Sequence, residues 1–203
     1  MKTKVIPAII LISVVLTFLG SCYIAIYNEK DGNGIVTSQV RSARNFNSVI
    51  LDGVGDVNIH FAEHYKVVVI TDSNIQDIVT VKVNGNNLHI GTRKNNNFNP
   101  TTLSIDVYLP ELNNVKLRGV GNIAINDEKA SHFDIELSGV GNINALNYEV
   151  ENVSVSLSGV GNIKTWVTKK LTGRISGVGD VIYKGNPSTV DVDTNITGKV
   201  KKW

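Results

Sequence analysis

A seven-residue motif centred on Gly-Val-Gly occurs five times in this chain of 203 residues. Each copy has Leu or Ile two residues before the first glycine, and Asn-Ile or Asp-Val after the second. The glycine pairs are Gly53 and Gly55, Gly119 and Gly121, Gly139 and Gly141, Gly159 and Gly161, and Gly177 and Gly179. The last three steps between copies are 20, 20 and 18 residues long. Such regular spacing is typical of repeat architectures.

Alternating apolar and polar residues lie on both sides of the glycine pairs. The runs Phe133–Ser138 and Val153–Ser158 alternate with period 2, which predicts strands with one buried face. The glycines allow positive φ, so the backbone can turn a corner without a Cβ clash. One strand–corner–strand unit of about 20 residues cannot bury its apolar face alone, but stacked copies can. We therefore interpret the ten glycines as structural corner residues.

The predicted fold is all-β, a parallel β-solenoid with coils of about 20 residues and a less regular N-terminal β part. A meander or sandwich with Gly-Val-Gly hairpins is the alternative. The solenoid is favoured because the same residue types recur at the same phase of every copy. Alignment of the copies predicts inward columns (Leu117, Leu137, Leu157 and Ile175; Val115, Ile135, Val155 and Gly173) and an outward column (Lys116, Glu136, Ser156 and Arg174).

The N-terminus has the features of a bacterial lipoprotein signal peptide. Lys2 and Lys4 precede the apolar run Val5–Leu19, and Leu19-Gly20-Ser21-Cys22 resembles a lipobox. Residues 1–21 are therefore predicted to be cleaved, and Cys22 to be lipidated. The alternative is an uncleaved anchor, since the run from 5 to 27 is long enough to span a bilayer. Either reading places the remaining chain outside the cytoplasm, tethered to a membrane.

The remaining chain is expected to contain a linker and one folded domain. Residues 22–39 include a polar stretch rich in Gly, Asn and Asp, which predicts a tether. Residues 40–203 are predicted to form the β domain, with the regular repeats starting at Asn114. Without residues 1–21 the chain has 18 basic and 18 acidic residues, so no overall basic charge indicates a nucleic-acid partner.

Several segments resemble one known family. They are Phe46–Val49, which leads to the first corner, Val79–Ile90, Leu109–Leu112 and the repeated Ser-Gly-Val-Gly-Asn-Ile corners. The family is the putative auto-transporter adhesin, head GIN domain family, and the resemblance covers about residues 40–203. It implies a right-handed parallel β-solenoid in the cell envelope. It implies no catalytic residues and no defined ligand.

The glycine motif is also compared with two ligand-binding motifs. Gly119–Ala124 matches G-x-G-x-x-A, but a dinucleotide site needs a helix after the glycines, and a strand-like run follows here. Calcium-binding β-roll repeats need a period of 9 residues and an Asp in each copy. Asp is present only at Asp56 and Asp180, and the other copies have Asn122, Asn142 and Asn162. We predict a hydrogen-bonded Asn ladder, with no cofactor and no metal.

Parallel β-helices also include polysaccharide lyases and hydrolases, so a catalytic site is considered. Such a site needs convergent carboxylates, and the candidates are Asp134 and Glu136 on the outward side of one strand. Their predicted neighbours are Asn114 and Lys116 in one coil and Ser154 and Ser156 in the other, an ordinary solvated surface. The four histidines, His60, His64, His89 and His132, lack metal-ligand spacing. No catalytic residue is predicted.

The expected function is that of a lipid-anchored binding protein of the cell envelope, at the outer membrane or cell surface, without catalytic activity. Its expected partners are a membrane, through the lipid or the anchor, and an unknown protein or glycan, but no nucleic acid. The alternatives are a carbohydrate-active enzyme and a purely structural envelope protein. Trp166 follows a corner, where it could cap the core or offer a platform for a sugar. The core is the expected position, since large aromatic side chains are usually buried.

Overall fold

The computed structural model describes residues 29–93, 97–126, 128–194 and 197–203, which contain β-strands. The strands are β1 (Glu29–Asp31), β2 (Val36–Arg41), β3 (Ser48–Leu51), β4 (Asp56–Phe61), β5 (Lys66–Asp72), β6 (Val79–Asn84), β7 (Asn87–Thr92), β8 (Asn97–Asn99), β9 (Leu103–Leu109), β10 (Asn114–Leu117), β11 (Val120–Ile125), β12 (Glu128–Leu137), β13 (Val140–Leu157), β14 (Ile163–Ile175), β15 (Asp180–Lys184), β16 (Thr189–Thr194) and β17 (Lys199–Lys202).

The prediction of a regular parallel β-solenoid is wrong. Strands β2 to β7 and β9 to β17 form one mixed 15-stranded sheet, which curves into a nearly closed, barrel-like form. The pairs β2–β5, β5–β9 and β6–β7 are antiparallel, whereas the pairs between corner repeats are parallel. The antiparallel strands come mainly from the long segment between the first two corners. There Gly85, at φ 57°, closes a tight β6–β7 hairpin.

The predicted register of the repeats is confirmed within this mixed sheet. Leu117 lies opposite Leu137, Leu137 opposite Leu157, and Leu157 opposite Ile175, always on parallel strands. All four side chains are buried, and a Leu or Ile side chain contributes about 1.5–3 kcal/mol on full burial. Lys116 and Glu136 are outward neighbours, and their Nζ and Oε2 atoms are 2.9 Å apart. Identical phases in successive copies therefore predict strand pairing correctly.

Aromatic side chains fill one side of the core. Tyr148 packs against Phe61 and edge-on against Phe133, with ring centroids 5.2 and 4.9 Å apart. Trp166 is not among them, contrary to the prediction. On β14 the side chains of Thr165 and Val167 are buried, and Trp166 between them is partly buried on the outer face.

The described sheet begins before residue 40, where the tether was expected to end. Strand β2 pairs with β5 over its whole length, so residues 36–39 belong to the sheet. The buried Asp72 carboxylate holds this segment by accepting hydrogen bonds from the Gly34 backbone (2.7 Å) and from the Thr101 backbone and hydroxyl (2.8 Å each). The predicted signal peptide and Cys22 lie outside the described residues. Among residues 29–93, 97–126, 128–194 and 197–203, no helix is long and apolar enough to cross a membrane.

Candidate binding surface

The five corners lie directly on one another, backbone against backbone. The second glycine of each corner, at positions 55, 121, 141, 161 and 179, has a φ between 132° and 145°. This is the positive-φ geometry that the turn suggested. A Cβ on Gly141 would lie 1.7 Å from the carbonyl oxygen of Gly121, and one on Gly159 would lie 2.0 Å from that of Gly139. Only glycine fits at positions 141 and 159, because any side chain there would collide with the neighbouring corner.

The close stacking exposes a row of valines, one at the tip of each corner. Neighbouring valines pair in parallel, so the row is continuous from the first corner to the last. We call it the valine row: Val54, Val120, Val140, Val160 and Val178. Each of these side chains is between 45% and 54% exposed. An uninterrupted exposed apolar strip of this kind marks an interaction site more often than scattered apolar residues do.

A ladder of asparagines runs beside the valine row. Asn122 Oδ1 accepts hydrogen bonds from the backbone nitrogen and Nδ2 of Asn142, both at 3.2 Å. Asn142 Oδ1 accepts the same pair from Asn162, at 3.1 and 3.2 Å. These bonds confirm the predicted Asn ladder. Each amide is held by the next layer, so the ladder fixes the spacing of the corners and presents a flat polar border.

Aspartates occupy the two ends of this ladder. Asp56 Oδ1 accepts from the backbone nitrogen and Nδ2 of Asn122, at 3.0 and 2.9 Å. The backbone nitrogen of Asp180 donates to Asn162 Oδ1 at 3.0 Å, and its carboxylate accepts from Lys201 Nζ at 2.5 Å. The hydrogen bond from Lys201 lowers the pKa of Asp180. Both aspartates therefore serve as hydrogen-bond acceptors within the ladder.

The residues considered for catalysis have ordinary surface partners. The neighbours of Asp134 and Glu136 are the ones predicted: Asn114 and Lys116 in one layer, Ser154 and Ser156 in the other. His60 stacks on Tyr108, His89 pairs with Asp52 at 2.7 Å, and His132 pairs with Asp134 at 3.1 Å. Within the described ranges, His, Asp and Glu side chains form no group of three or more that could hold a metal ion.

One surface cavity brings two carboxylates near an aromatic side chain. Its volume is about 410 Å³, and Glu111, Glu128 and Tyr148 contribute to its lining. Burial, together with Glu111 and Glu128, raises the pKa of Tyr148. The Tyr148 hydroxyl donates to the Leu112 carbonyl at 2.7 Å. This phenol therefore stays protonated and engaged, which suits a structural role better than proton transfer.

A family model matches most of the folded chain. It is described as putative auto-transporter adhesin, head GIN domain, and it matches residues 45–132 and 128–187. The chain belongs to this family. The resemblance noted in the sequence is thereby confirmed. Membership in a family of adhesins indicates a location at the cell surface or outside the cell.

One solved structure supports the fold of this head GIN domain, and two others align with it more distantly. A crystal structure of a putative adhesin from Bacteroides fragilis aligns with a TM-score of 0.60 at 21% identity, covering 85% of this chain and 99% of that one. A putative lipid binding protein from Parabacteroides distasonis gives 0.46 at 17%, with coverages of 87% and 100%. A putative adhesin from Parabacteroides merdae gives 0.44 at 19%, with coverages of 86% and 99%. The first supports the mixed all-β fold; the other two are more distant. No curated protein matches the chain.

Sequence reasoning identified the corner glycines but missed the valine row they expose. The signal was present, because the residue between the two glycines of every corner is valine. Residue type alone does not reveal this row, because valines in strand-rich repeats are ordinarily buried. The tip of a turn points away from the core, so a valine at this position is exposed although valine side chains are usually buried.

Proposed function

We propose that this chain is a lipid-anchored, non-catalytic binding protein of the cell surface, and that the valine row is its contact surface for a protein partner. The observation that carries the proposal is the alignment of five half-exposed valines in one unbroken strip. The family of adhesins to which the chain belongs supports a role in surface binding. Lipidation of Cys22 is a separate part of the proposal and rests on the lipobox-like sequence.

The border of the strip favours a flat partner. The Asn ladder uses its amides between layers, so the surface offers the partner mainly apolar contact along the valines. On the other side of the valines, the residue before the first glycine is Ser138, Ser158 or Ser176 in the last three corners, and each of these is exposed. An apolar centre with a polar rim is the usual anatomy of a protein interface.

Cell adhesion tests the contact surface. Cells producing the full chain would be compared with cells producing the double variant Val140→Asp and Val160→Asp, and the measured quantity is the number of cells retained on immobilised extracellular-matrix protein. The matched control is Ser138→Asp with Ser158→Asp, which adds the same two charges beside the valines. We expect the valine variant to lose retention and the serine variant to keep most of it. Equal retention of all three strains would overturn the proposal.

Mass spectrometry tests the anchor. The full chain is expected to begin at an acylated Cys22, and Cys22→Ala is expected to accumulate as an unprocessed precursor. If the wild-type protein keeps residues 1–21 and carries no acyl chain, lipidation of Cys22 is excluded and the uncleaved anchor is favoured. Either result leaves the test of the valine row intact.

A further inference from the structure

The two tryptophans of the sequence lie on one outer face at the C-terminal end of the sheet. Trp166 on β14 lies opposite Lys184 on β15. Tyr183 lies opposite Lys202 on β17, and the backbone nitrogen of Trp203 donates to the Tyr183 carbonyl at 2.8 Å. Lys184 and Trp203 are therefore neighbours, and the column reads Trp166, Lys184, Trp203. With strands about 4.8 Å apart, the two tryptophans are about 10 Å apart along the column.

Two lysines lie against these rings. Lys184 Nζ lies 3.7 Å from the centre of the Trp166 ring, and Lys164 Nζ lies 5.0 Å from that of the Trp203 ring. Cation–π contacts of this kind restrict where each ammonium group can be. Trp203 itself is 68% exposed, so its ring remains open to a ligand.

Further positive charge surrounds the column. Lys201 lies in the same cross-strand row as Ile182 and Lys164. Lys199 follows Asp180 in the row that continues the Asn ladder. We name the set Lys164, Trp166, Lys184, Lys199, Lys201 and Trp203 the Trp–Lys patch. Of the four lysines in this set, Lys201 donates a hydrogen bond to the Asp180 carboxylate.

Basic residues are also concentrated toward the C-terminal end of the sequence, where the patch lies. Residues 160–203 contain eight Lys or Arg and three Asp, whereas residues 29–159 contain ten Lys or Arg and fifteen Asp or Glu. The net charge of residues 29–203 is therefore the sum of an acidic N-terminal part and a basic C-terminal end. A concentrated field of one sign attracts a ligand of the opposite sign.

The Trp–Lys patch lies at the end of the sheet that is remote from the N-terminal strands. Along the sheet, β4 is followed by β11, β13, β14, β15 and β17. Five strand separations place β17 about 24 Å from β4, measured along the curved sheet. Strands β9, β5 and β2 continue the sheet beyond β4. A chain tethered through its N-terminus can therefore direct this end away from its own membrane.

We propose that the Trp–Lys patch binds an acidic polysaccharide. The open face of Trp203 stacks on the apolar C–H face of a sugar ring, and the lysines pair with carboxylate or sulfate groups on the same or the next residue. The length of the column gives room for more than one ring. The location at the far end favours a glycan over the tethering membrane. This site is separate from the valine row and goes beyond the proposed contact with a protein.

Binding of alginate to the full-length protein in detergent tests the proposal. Neutral dextran of similar length serves as the uncharged comparison, and phosphatidylglycerol vesicles test for a lipid surface instead. Alginate is expected to bind, with an affinity that falls as salt screens the lysines. Dextran is expected to bind at least about tenfold more weakly, which corresponds to about 1.4 kcal/mol.

Variants separate a built site from general charge attraction. Trp203→Ala, and separately Lys164→Gln with Lys201→Gln, are each expected to weaken alginate binding about tenfold. Lys129→Gln with Lys169→Gln removes two exposed charges elsewhere and is expected to change the affinity less than about twofold. Equal losses in both lysine variants, an unchanged affinity of Trp203→Ala, or no binding of alginate by the wild type would each overturn the proposal.

Two other outcomes would also overturn it. Binding of phosphatidylglycerol vesicles without binding of alginate would assign the patch to a lipid surface. Self-association that masks the patch and disappears in Trp203→Ala would assign it to a second copy of the chain. The variant Val140→Asp with Val160→Asp is expected to bind alginate normally, so failure of this site and failure of the valine row are distinguishable.

Discussion

Asn142 donates two hydrogen bonds to a single oxygen, Asn122 Oδ1, one from its backbone nitrogen and one from Nδ2, both at 3.2 Å. An Asn side chain can accept on Oδ1 and donate from Nδ2 in the same rung, whereas Asp180 donates to Asn162 Oδ1 only from its backbone nitrogen. Asp56 begins the ladder because it needs only to accept.

The first prediction concerns the interior of the ladder. Asn142→Asp removes the Nδ2 donor, so a carboxylate oxygen faces Asn122 Oδ1. The other oxygen can still accept the two hydrogen bonds from Asn162, so on that side only the charge changes. We expect a loss of about 1–2 kcal/mol in the free energy of unfolding. The control is Asn144→Asp on the same strand, where the Leu146 nitrogen donates to Oδ1 at 3.3 Å. A carboxylate preserves this bond. Urea unfolding measures both, and equal midpoints would contradict the role of the ladder.

The second prediction separates backbone conformation from steric exclusion at the glycines. Gly85 and Gly141 both have positive φ, but a Cβ on Gly85 meets no atom within 4 Å, whereas one on Gly141 meets the Gly121 carbonyl. Gly85→Ala is expected to cost about 1 kcal/mol. Gly141→Ala is expected to cost about 3 kcal/mol or more, because the corners must move apart. Equal losses of thermal stability would show that stacking of the corners is loose.

The third prediction concerns a substitution that is expected to increase the free energy of unfolding. Thr165 is fully buried on β14, and its hydroxyl has no hydrogen-bond partner among the described residues. Thr165→Val removes this buried polar atom at nearly constant volume, so we expect about 1 kcal/mol of stabilisation. In the control Thr168→Val, the lost hydroxyl is the one that donates to the Val150 carbonyl at 3.3 Å. The control is expected to be neutral or less stable, and a destabilised Thr165→Val would contradict the account.

The fourth prediction concerns acid stability. Burial raises the pKa of Asp72, but the hydrogen bonds from Thr101 and Gly34 outweigh burial, and the pKa is lowered from its ordinary value of 3.8. A lowered folded-state pKa means that the stabilisation is present above the unfolded-state pKa and is lost as the pH falls through the folded-state value. Asp72→Asn should therefore lose stability at pH 7 and show a shallower decline toward pH 2. Parallel stability curves for the two proteins would refute the role of this carboxylate.

The sequence predicted the pairing of the repeats better than the fold as a whole. Leu137 and Leu157 could be paired because identical residues at identical phases leave one consistent register. Strands β5 and β9 offered no such guide, since alternation in Lys66–Asp72 and Leu103–Leu109 is compatible with parallel or antiparallel neighbours. Their orientation depends on chain segments distant in sequence. The mixed sheet was therefore not predictable from periodicity alone.

One part of the Trp–Lys patch could be predicted from the sequence and another part could not. Period 2 counted from the buried Ile163 places Thr165 inward and Trp166 outward, so the position of Trp166 could have been predicted from phase rather than from residue type. The approach of Trp203 to Lys164 could not, because Thr197–Val200 repeats the glycine corner only in a weaker form, with Gly198 alone, and specifies the register of β17 less clearly.

A designed disulfide tests most directly whether the corners stack in parallel and in register. Leu137 lies opposite Leu157 and Val140 opposite Val160, so Ser138 and Ser158 are neighbours about 4.8 Å apart, which suits a disulfide. In a Cys22→Ser background, Ser138→Cys with Ser158→Cys is expected to form an intramolecular disulfide on mild oxidation, detected by mass spectrometry. Ser138→Cys with Ser176→Cys spans two layers, about 10 Å, and is expected to stay reduced. The reverse result, or equal oxidation of both pairs, would contradict the stacked corners on which the valine row depends.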